Sequence, residues 1–264
     1  MKNSPWHSRA VLILALLLPV YFAASALGTK FGLWSWQTGL GTLIIRVGPI
    51  LLGIVAFASL ISLVVAALKK PRKGWLLSVI ALFVPITAFV LLAMVRSQAG
   101  AVPAIHDVST DTANPPGLSA AAMAARTESG ANPINDYQTP LGELEPWKGG
   151  DPELASKSHA QLITDAYADL APLPLGSTSK ADAVAAVAAA MEDMGFANVV
   201  ADTEAGRVDG VAETFWFGFK DDVTARVSDS QIDFRSVSRV GLSDLGANAD
   251  RIEELRKNVA ARLQ

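Results

Sequence analysis

The sequence predicts two unlike parts in one chain: an α-helical membrane anchor of three transmembrane helices, then an α+β soluble domain with a four-stranded antiparallel sheet and helices on one face. Three observations predict this. Charge divides sharply: residues 1–100 hold nine Lys or Arg and no Asp or Glu, while residues 101–264 hold thirteen basic against twenty-five acidic residues, so the net −3 joins +9 to −12. An apolar, basic half suits a bilayer, and an acidic half suits water. Three apolar runs in the first half are each long enough to cross about 30 Å of hydrocarbon, which takes about 20 helical residues. In the second half, helical stripes, four short strand-like stretches and a last helical stripe follow one another, the order of an α+β domain. The expected division is an anchor over 1–96, an extended connection over 97–156 and a soluble domain over 157–264.

The apolar runs are Ala10–Leu27, Val47–Leu68 and Trp75–Val95, and they lack the polar face that a soluble helix would carry. Lys69, Lys70, Arg72 and Lys73 lie between the second and third runs, and Lys2 and Arg9 precede the first. Both of these ends are therefore expected in the cytoplasm, and everything after Arg96 outside it. The expected location is the inner (plasma) membrane, multi-pass, with the N-terminus cytoplasmic and the C-terminal domain periplasmic. A signal peptide competes for the first run, because Ala24-Ser25-Ala26 resembles a cleavage site; it would leave the domain on the same side. Arg46, at the edge of the second run, reads as an interfacial anchor with no acidic residue in this half to pair with. Trp34, Trp36 and Trp75 fall where aromatic belts do.

From Ser97 to Ser156 the chain is rich in Ala, Pro, Gly, Asn and Thr, with "NPPGL" and "WKGGDP" as breakers. Leu162, Ile163, Ala166, Tyr167 and Leu170 then make one helical stripe, and Val184, Val187, Met191 and Met194 a second. Ser179 with Asp182 suits a capped start of the second, and Gly195 its stop. Ala197–Asp202, Arg207–Phe219, Asp222–Ser228 and Ile232–Val240 read as strands joined by hairpins. Leu245, Ala249, Ile252, Leu255, Val259 and Leu263 form a closing amphipathic helix.

The densest polar stretch is "RSVSRVGLSDLGANADRI", Arg235–Ile252. On a strand, Ile232, Phe234, Ser236, Ser238 and Val240 point one way, and Asp233, Arg235, Val237, Arg239 and Gly241 the other. Arg226 on the neighbouring strand joins the two arginines, while Asp221, Asp222 and Asp244 offer counter-charges. Two readings stand. One is a salt-bridged sheet face with an Asp or Ser cap on the last helix. The other is an anion or partner site made by Arg226, Arg235, Arg239, Asp221, Asp222, Ser243, Asp244, Asn248 and Arg251.

Other chemistry is thin. The chain has no cysteine, hence neither disulfide nor thiolate. His106, Asp107 and Asp111 are metal-ligand types, read here as a hydrogen-bonded strap, and no metal or cofactor is expected. "GLSDLG" lacks the second glycine of a nucleophile elbow, because Leu245 stands there. No phosphate loop occurs, and the acidic outer half argues against nucleic acid. Phe215, Trp216, Phe217 and Phe219 read as strand aromatics divided between core and cover, with a ligand groove as the other reading.

"FWFGFKDD" (Phe215–Asp222), the Arg235–Ile252 stretch and "IHDVSTDTANPP" (Ile105–Pro116) together resemble a bacterial and plastid family filed as domain of unknown function number 1499. The resemblance covers roughly Pro103–Leu263, and three separate ungapped motifs make it specific. Tyr167-Ala168-Asp169 departs from a Tyr-Pro-Asp associated with the family. The resemblance implies a fold and a cell-envelope setting, and no established activity. The expected function is a membrane-anchored, non-catalytic envelope domain that binds a protein, an anionic lipid or a glycan, with membrane lipids around its anchor. The alternative is an enzyme acting on an envelope lipid or polysaccharide, with Asp221, Asp222 and the arginines at its centre.

Overall fold

The computed structural model describes residues 4–264; Lys2, used above for orientation, lies outside the described residues. The chain divides into two compact units, Met1–Gln98 with Phe215–Gly218, and Ala99–Thr214 with Phe219–Gln264.

The first unit holds three helices long and apolar enough to cross a membrane: α1 (Trp6–Lys30), α2 (Gln37–Leu68) and α3 (Trp75–Ala99). They meet through a narrow seam in which Val11, Ala15 and Leu18 face Leu52, Val55 and Ala81. Ile13, Leu17, Ile54, Phe57 and Phe83 point outward. That is the inverse of a soluble bundle, and hydrocarbon is the solvent in which it costs nothing. Four polar side chains are stacked inside the seam. His7 Nδ1 lies 2.7 Å from Ser62 Oγ, Ser62 Oγ lies 2.8 Å from Ser78 Oγ, and Ser78 donates to Ser8 Oγ at 3.2 Å. Each satisfies another near the end of the seam, Ser8, Ser62 and Ser78 being buried and His7 half-buried. The second run was expected to begin at Val47, but its helix begins at Gln37, with a π-helical stretch over Gln37–Val47. "QTGLGTLIIR" is too polar and glycine-rich to register as an apolar run, yet helical hydrogen bonding needs no apolar side chain. Arg46 consequently lies inside the helix rather than at its end, with its side chain exposed.

The second unit is built on an antiparallel sheet. The strands are β1 (Asp107–Ser109), β2 (Leu173–Pro174), β3 (Ala197–Asp202), β4 (Arg207–Glu213), β5 (Lys220–Val227) and β6 (Gln231–Ser238). Their order is β1-β6-β5-β4-β3, with β2 also on β6, so the sheet has six strands where four were expected. The four expected strands are β3–β6. The two missed ones are three and two residues long and carry no periodicity to detect. β4 also ends at Glu213 instead of running to Phe219, and the aromatics after it form a turn.

On one face lie α7 (Lys180–Asp193) and α8 (Ala247–Arg262). Ser179 caps α7 by accepting from the Asp182 amide, and Gly195 stops the turn after it at φ +75°. Val184, Val187 and Met191 of α7 and Ile252, Leu255 and Val259 of α8 pack with Val208, Val223, Ala225, Ile232 and Phe234 of the sheet. Residues ahead of β3 complete this core: Ile105, Val108, Tyr137, Leu141 and Trp147 are all buried in it, as are Leu162 and Ile163 of α6 (His159–Ala166), which follows the single turn α5 (Pro152–Ala155). The opposite sheet face is polar. It is overlain by the segment after β1, including α4 (Ala120–Glu128), whose Ser119 cap accepts from the Ala122 amide.

Candidate functional site

The polar face is organised by strand alternation. β6 sends Asp233 and Arg235 to this face, β5 sends Asp222, Thr224 and Arg226, β4 sends Arg207 and Asp209, and β1 lays Asp107 beside Val237. Arg235 forks onto Asp107, with Nε donating to Oδ1 at 2.9 Å and Nη2 to Oδ2 at 2.6 Å. Tyr137 donates its hydroxyl to the same Oδ1 at 2.5 Å, and its ring lies 5.1 Å from the guanidinium carbon. Burial works to raise the Asp107 pKa, but the charge and hydrogen bonds of Arg235 outweigh it and hold the carboxyl below its ordinary value. For Tyr137, burial and the Asp107 charge push the phenol well above its usual range.

Asp222 is clamped from two sides. Arg126 of α4 donates from Nη1 to Oδ2 at 2.6 Å, and Arg239 donates from Nε and Nη2 at 2.9 and 2.6 Å. Arg226 bridges Asp111 at 2.8 Å and Asp233 at 3.0 Å. The three arginines expected to share a face do share it, each with its own carboxylate.

The remaining predicted residues lie elsewhere. Asp221, next to Asp222 on β5, points to the α8 side and accepts from Arg251 Nη2 at 2.7 Å. Arg251 Nη1 also reaches Asn248 Oδ1 at 2.6 Å, and the buried Asn248 amide donates to the His106 carbonyl and to Ser238 Oγ, each at 3.0 Å. Asp244 accepts from the Gly246 and Asn248 amides at the start of α8, and burial raises its pKa. Ser243 Oγ accepts from the Leu245 amide at 3.2 Å. The nine residues therefore divide between the two sides of the sheet, Arg226, Arg235, Arg239 and Asp222 on one and the α8 group on the other.

His106, Asp107 and Asp111 also part company. Asp107 holds Arg235 and Asp111 holds Arg226, whereas the His106 ring stacks on Trp147 at 5.2 Å. Among the described residues no three His, Asp or Glu side chains are placed to hold a metal. His159 is buried against Tyr137 and Trp147, and among the described residues its ring nitrogens have no hydrogen-bond partner, while the backbone of Pro133 and Leu242 approaches the His106 ring. Burial lowers both imidazole pKa values, that of His159 to about 4, against an opposing pull from Asp107.

One part of the polar face stays open. Between α4 and the edge formed by β3 and β4 lies a cleft of about 230 Å³, walled by Ala121, Ala122 and Ala125 on one side and by Val200 and Val211 on the other. Alanines keep the helix wall thin, and the edge strand bulges between Ala197 and Val200, with Asn198 at φ +53°. Asp209, Asp222 and Arg239 also line the cleft. Asp209 is only 7% exposed; its Oδ2 accepts from the Ser119 amide at 3.1 Å, and its Oδ1 is buried without a hydrogen-bond partner. Thr224, paired with it across β4 and β5, has an equally unpartnered hydroxyl. A buried carboxylate oxygen without a donor costs roughly 1–3 kcal/mol, which marks this corner beside the cleft as polar and under-satisfied. Asp209 and Arg126 were not singled out by the sequence, although the Arg207–Asp209 alternation places the first on the arginine face. Arg126 sits in an alanine run whose helical face had no visible partner.

Fold and face together define an α+β domain with a buried arginine–carboxylate layer, in a chain that also carries three membrane-length apolar helices. Residues 107–259, more than half of the chain, match the profile of the family described as "Protein of unknown function (DUF1499)", and the chain belongs to that family. No curated protein and no solved structure matches it.

Proposed function

We propose that this is a multi-pass plasma-membrane protein whose domain after Arg96 lies outside the cytoplasm, in the cell envelope, and acts as a non-catalytic binding module. The cleft beside α4 takes the ligand. The observation that carries this reading is the cleft lined by Asp209, Asp222 and Arg239, beside which one Asp209 oxygen is buried with no hydrogen-bond partner among the described residues. A carboxylate acceptor and a guanidinium donor across a small apolar wall suit a hydroxyl-bearing ligand, which donates to one and accepts from the other. The charges at the cleft largely cancel, because Asp222 is held by Arg126 and Arg239. This favours an envelope glycan over an anionic lipid among the partners expected from the sequence. The enzyme alternative needs Asp221 and Asp222 to act together, and as successive strand residues they face opposite ways. The imidazoles of His106 and His159, the usual proton carriers near neutral pH, are sealed in the aromatic core instead.

The test uses the full chain in nanodiscs, since sugar-headed detergents would compete. Saturation-transfer NMR with N-acetylglucosamine and its disaccharide should give transfer to the sugar protons that the Asp209→Asn variant loses. Equal transfer from both proteins, or a response only to inositol phosphate, would overturn the glycan reading.

A further inference from the structure

The aromatic stretch after β4 is not used by the cleft. Its turn is closed by the Thr214 amide donating to the Phe219 carbonyl at 2.9 Å, and by the Phe219 amide donating to Thr214 Oγ1 at 2.9 Å. At its tip Phe215 is 71% and Trp216 52% exposed, and the two rings meet edge to face at 5.2 Å. Water is a poor solvent for such a pair, because fully burying one large apolar side chain gains roughly 1.5–3 kcal/mol.

We propose that this tip, Phe215–Trp216, seats in the interfacial layer of the bilayer that carries the anchor. The occupant is lipid for three reasons. The first is reach: α3 ends at Ala99, and Ile105 is already fully buried in the core of the second unit. Six residue steps of chain extend no more than about 20 Å, a short tether, and Phe215–Gly218 is grouped with the anchor residues in the first unit. The second is chemistry, since indole and phenyl rings are the side chains that settle at headgroup level, the indole N–H keeping a polar partner there. The third is rigidity: the two hydrogen bonds that close the turn fix the rings before they meet lipid, so little ordering remains to be done on insertion. The proposal rests on the reading that α1–α3 span a membrane, and the test separates the two.

The chain has no cysteine, so a single introduced thiol carrying the polarity-sensitive dye NBD reports one place only. The full chain, reconstituted in phosphatidylcholine vesicles, is labelled separately in Trp216→Cys and Phe215→Cys at the tip, in Phe83→Cys on the outward face of α3, and in Glu192→Cys on an exposed position of α7. Both tip labels should emit to the blue of the Glu192 label and lose most of their emission with lipids brominated near the headgroup, and less with lipids brominated at the chain end. Tip labels that emit like the Glu192 label overturn the proposal. Blue-shifted but unquenched tip labels overturn it too, showing that protein or a second copy covers the tip. If the Phe83 label escapes chain-end bromines, the anchor itself fails and the proposal falls with it.

Discussion

At the scale of single residues, burial decides which of the arginines matters. Arg235 is 5% exposed and Asp107 1%, so removing the guanidinium strands a carboxylate with only Tyr137 for company. Breaking a buried pair in this way costs about 3–5 kcal/mol. Arg235→Ala should therefore lower the melting temperature by about 10 °C, at 2–4 °C per kcal/mol for a domain of this size. Arg226→Ala removes a side chain that is 30% exposed. Its loss should be clearly smaller, and a melting series in which Arg226→Ala equals or exceeds Arg235→Ala would show that burial does not rank the pairs. The histidines give a second expectation. His159 faces Asp107, His106, Arg235 and Asp136, and its pKa falls from 6.5 in the unfolded chain to about 4 in the fold. Between those values the unfolded chain takes up a proton that the fold refuses, so stability is full above pH 6.5 and declines as pH falls towards 4. The decline from this residue is about 3 kcal/mol, at 1.36 kcal/mol per pKa unit. His106, lowered as well, adds to it. Asp107, depressed below its ordinary value, contributes to acid loss only at still lower pH. Denaturant midpoints measured from pH 7 to 4.5 should fall, and should fall less in His159→Phe, which keeps an aromatic ring between Tyr137 and Trp147.

At the scale of elements, the hairpins set the register that aligns the polar face. The β3–β4 turn closes at Gly206, where φ is +66° and a Cβ would stand 2.4 Å from the Val227 carbonyl oxygen on β5. Backbone cannot yield there as a side chain can. Gly206→Ala should cost about 2 kcal/mol or more, combining the left-handed backbone penalty with the clash. Gly210→Ala, whose Cβ would meet side chains alone, Met191 Sδ at 3.2 Å and Phe196 Cδ2 at 3.3 Å, should cost less; a urea midpoint ordered the other way would refute this account. How much was legible follows from the same elements. Alternation in Ile232–Val240 placed Arg235 and Arg239 on one face, and the cap at Ser179 with the stop at Gly195 bounded α7 closely, because strand and helix periods are local properties of sequence. The carboxylates that hold the arginines were legible only in part. Asp222 was offered as a counter-charge and serves as one, but Asp107 comes from a strand of three residues some 128 positions away, and no local period reports a partner so remote. Asp209 and its cleft depend on three alanines of α4 standing off from a bulged edge, a distance between elements that neither element encodes alone. Phe215–Phe219 was misread for a plain reason: alternating aromatics look the same on a strand and on a turn until the hydrogen bonds from Thr214 are known.

At the scale of the whole molecule, the charge division is the strongest constraint. With Lys2 ahead of α1, Arg9 in its first turn and four basic residues between α2 and α3, the orientation proposed above puts the second unit outside the cytoplasm. Alkaline phosphatase fused after Gln264 should therefore be active; an inactive fusion beside a fluorescent cytoplasmic reporter at the same point would reverse the orientation. The position of β1 also governs the order in which this chain can fold as it is made. β1 follows the last apolar helix almost at once, but its sole strand partner is β6, whose paired residues are Arg235–Val237. At synthesis rates of about 5–20 residues per second, the first strand waits on the order of ten seconds for the last one to arrive. Throughout that interval Asp107 is without its guanidinium and the aromatic core is without Phe234. The sheet is closed by its two ends in sequence, so a chain stalled before β6 holds α7 and the β3–β4–β5 meander but leaves β1 and Asp107 without their partners.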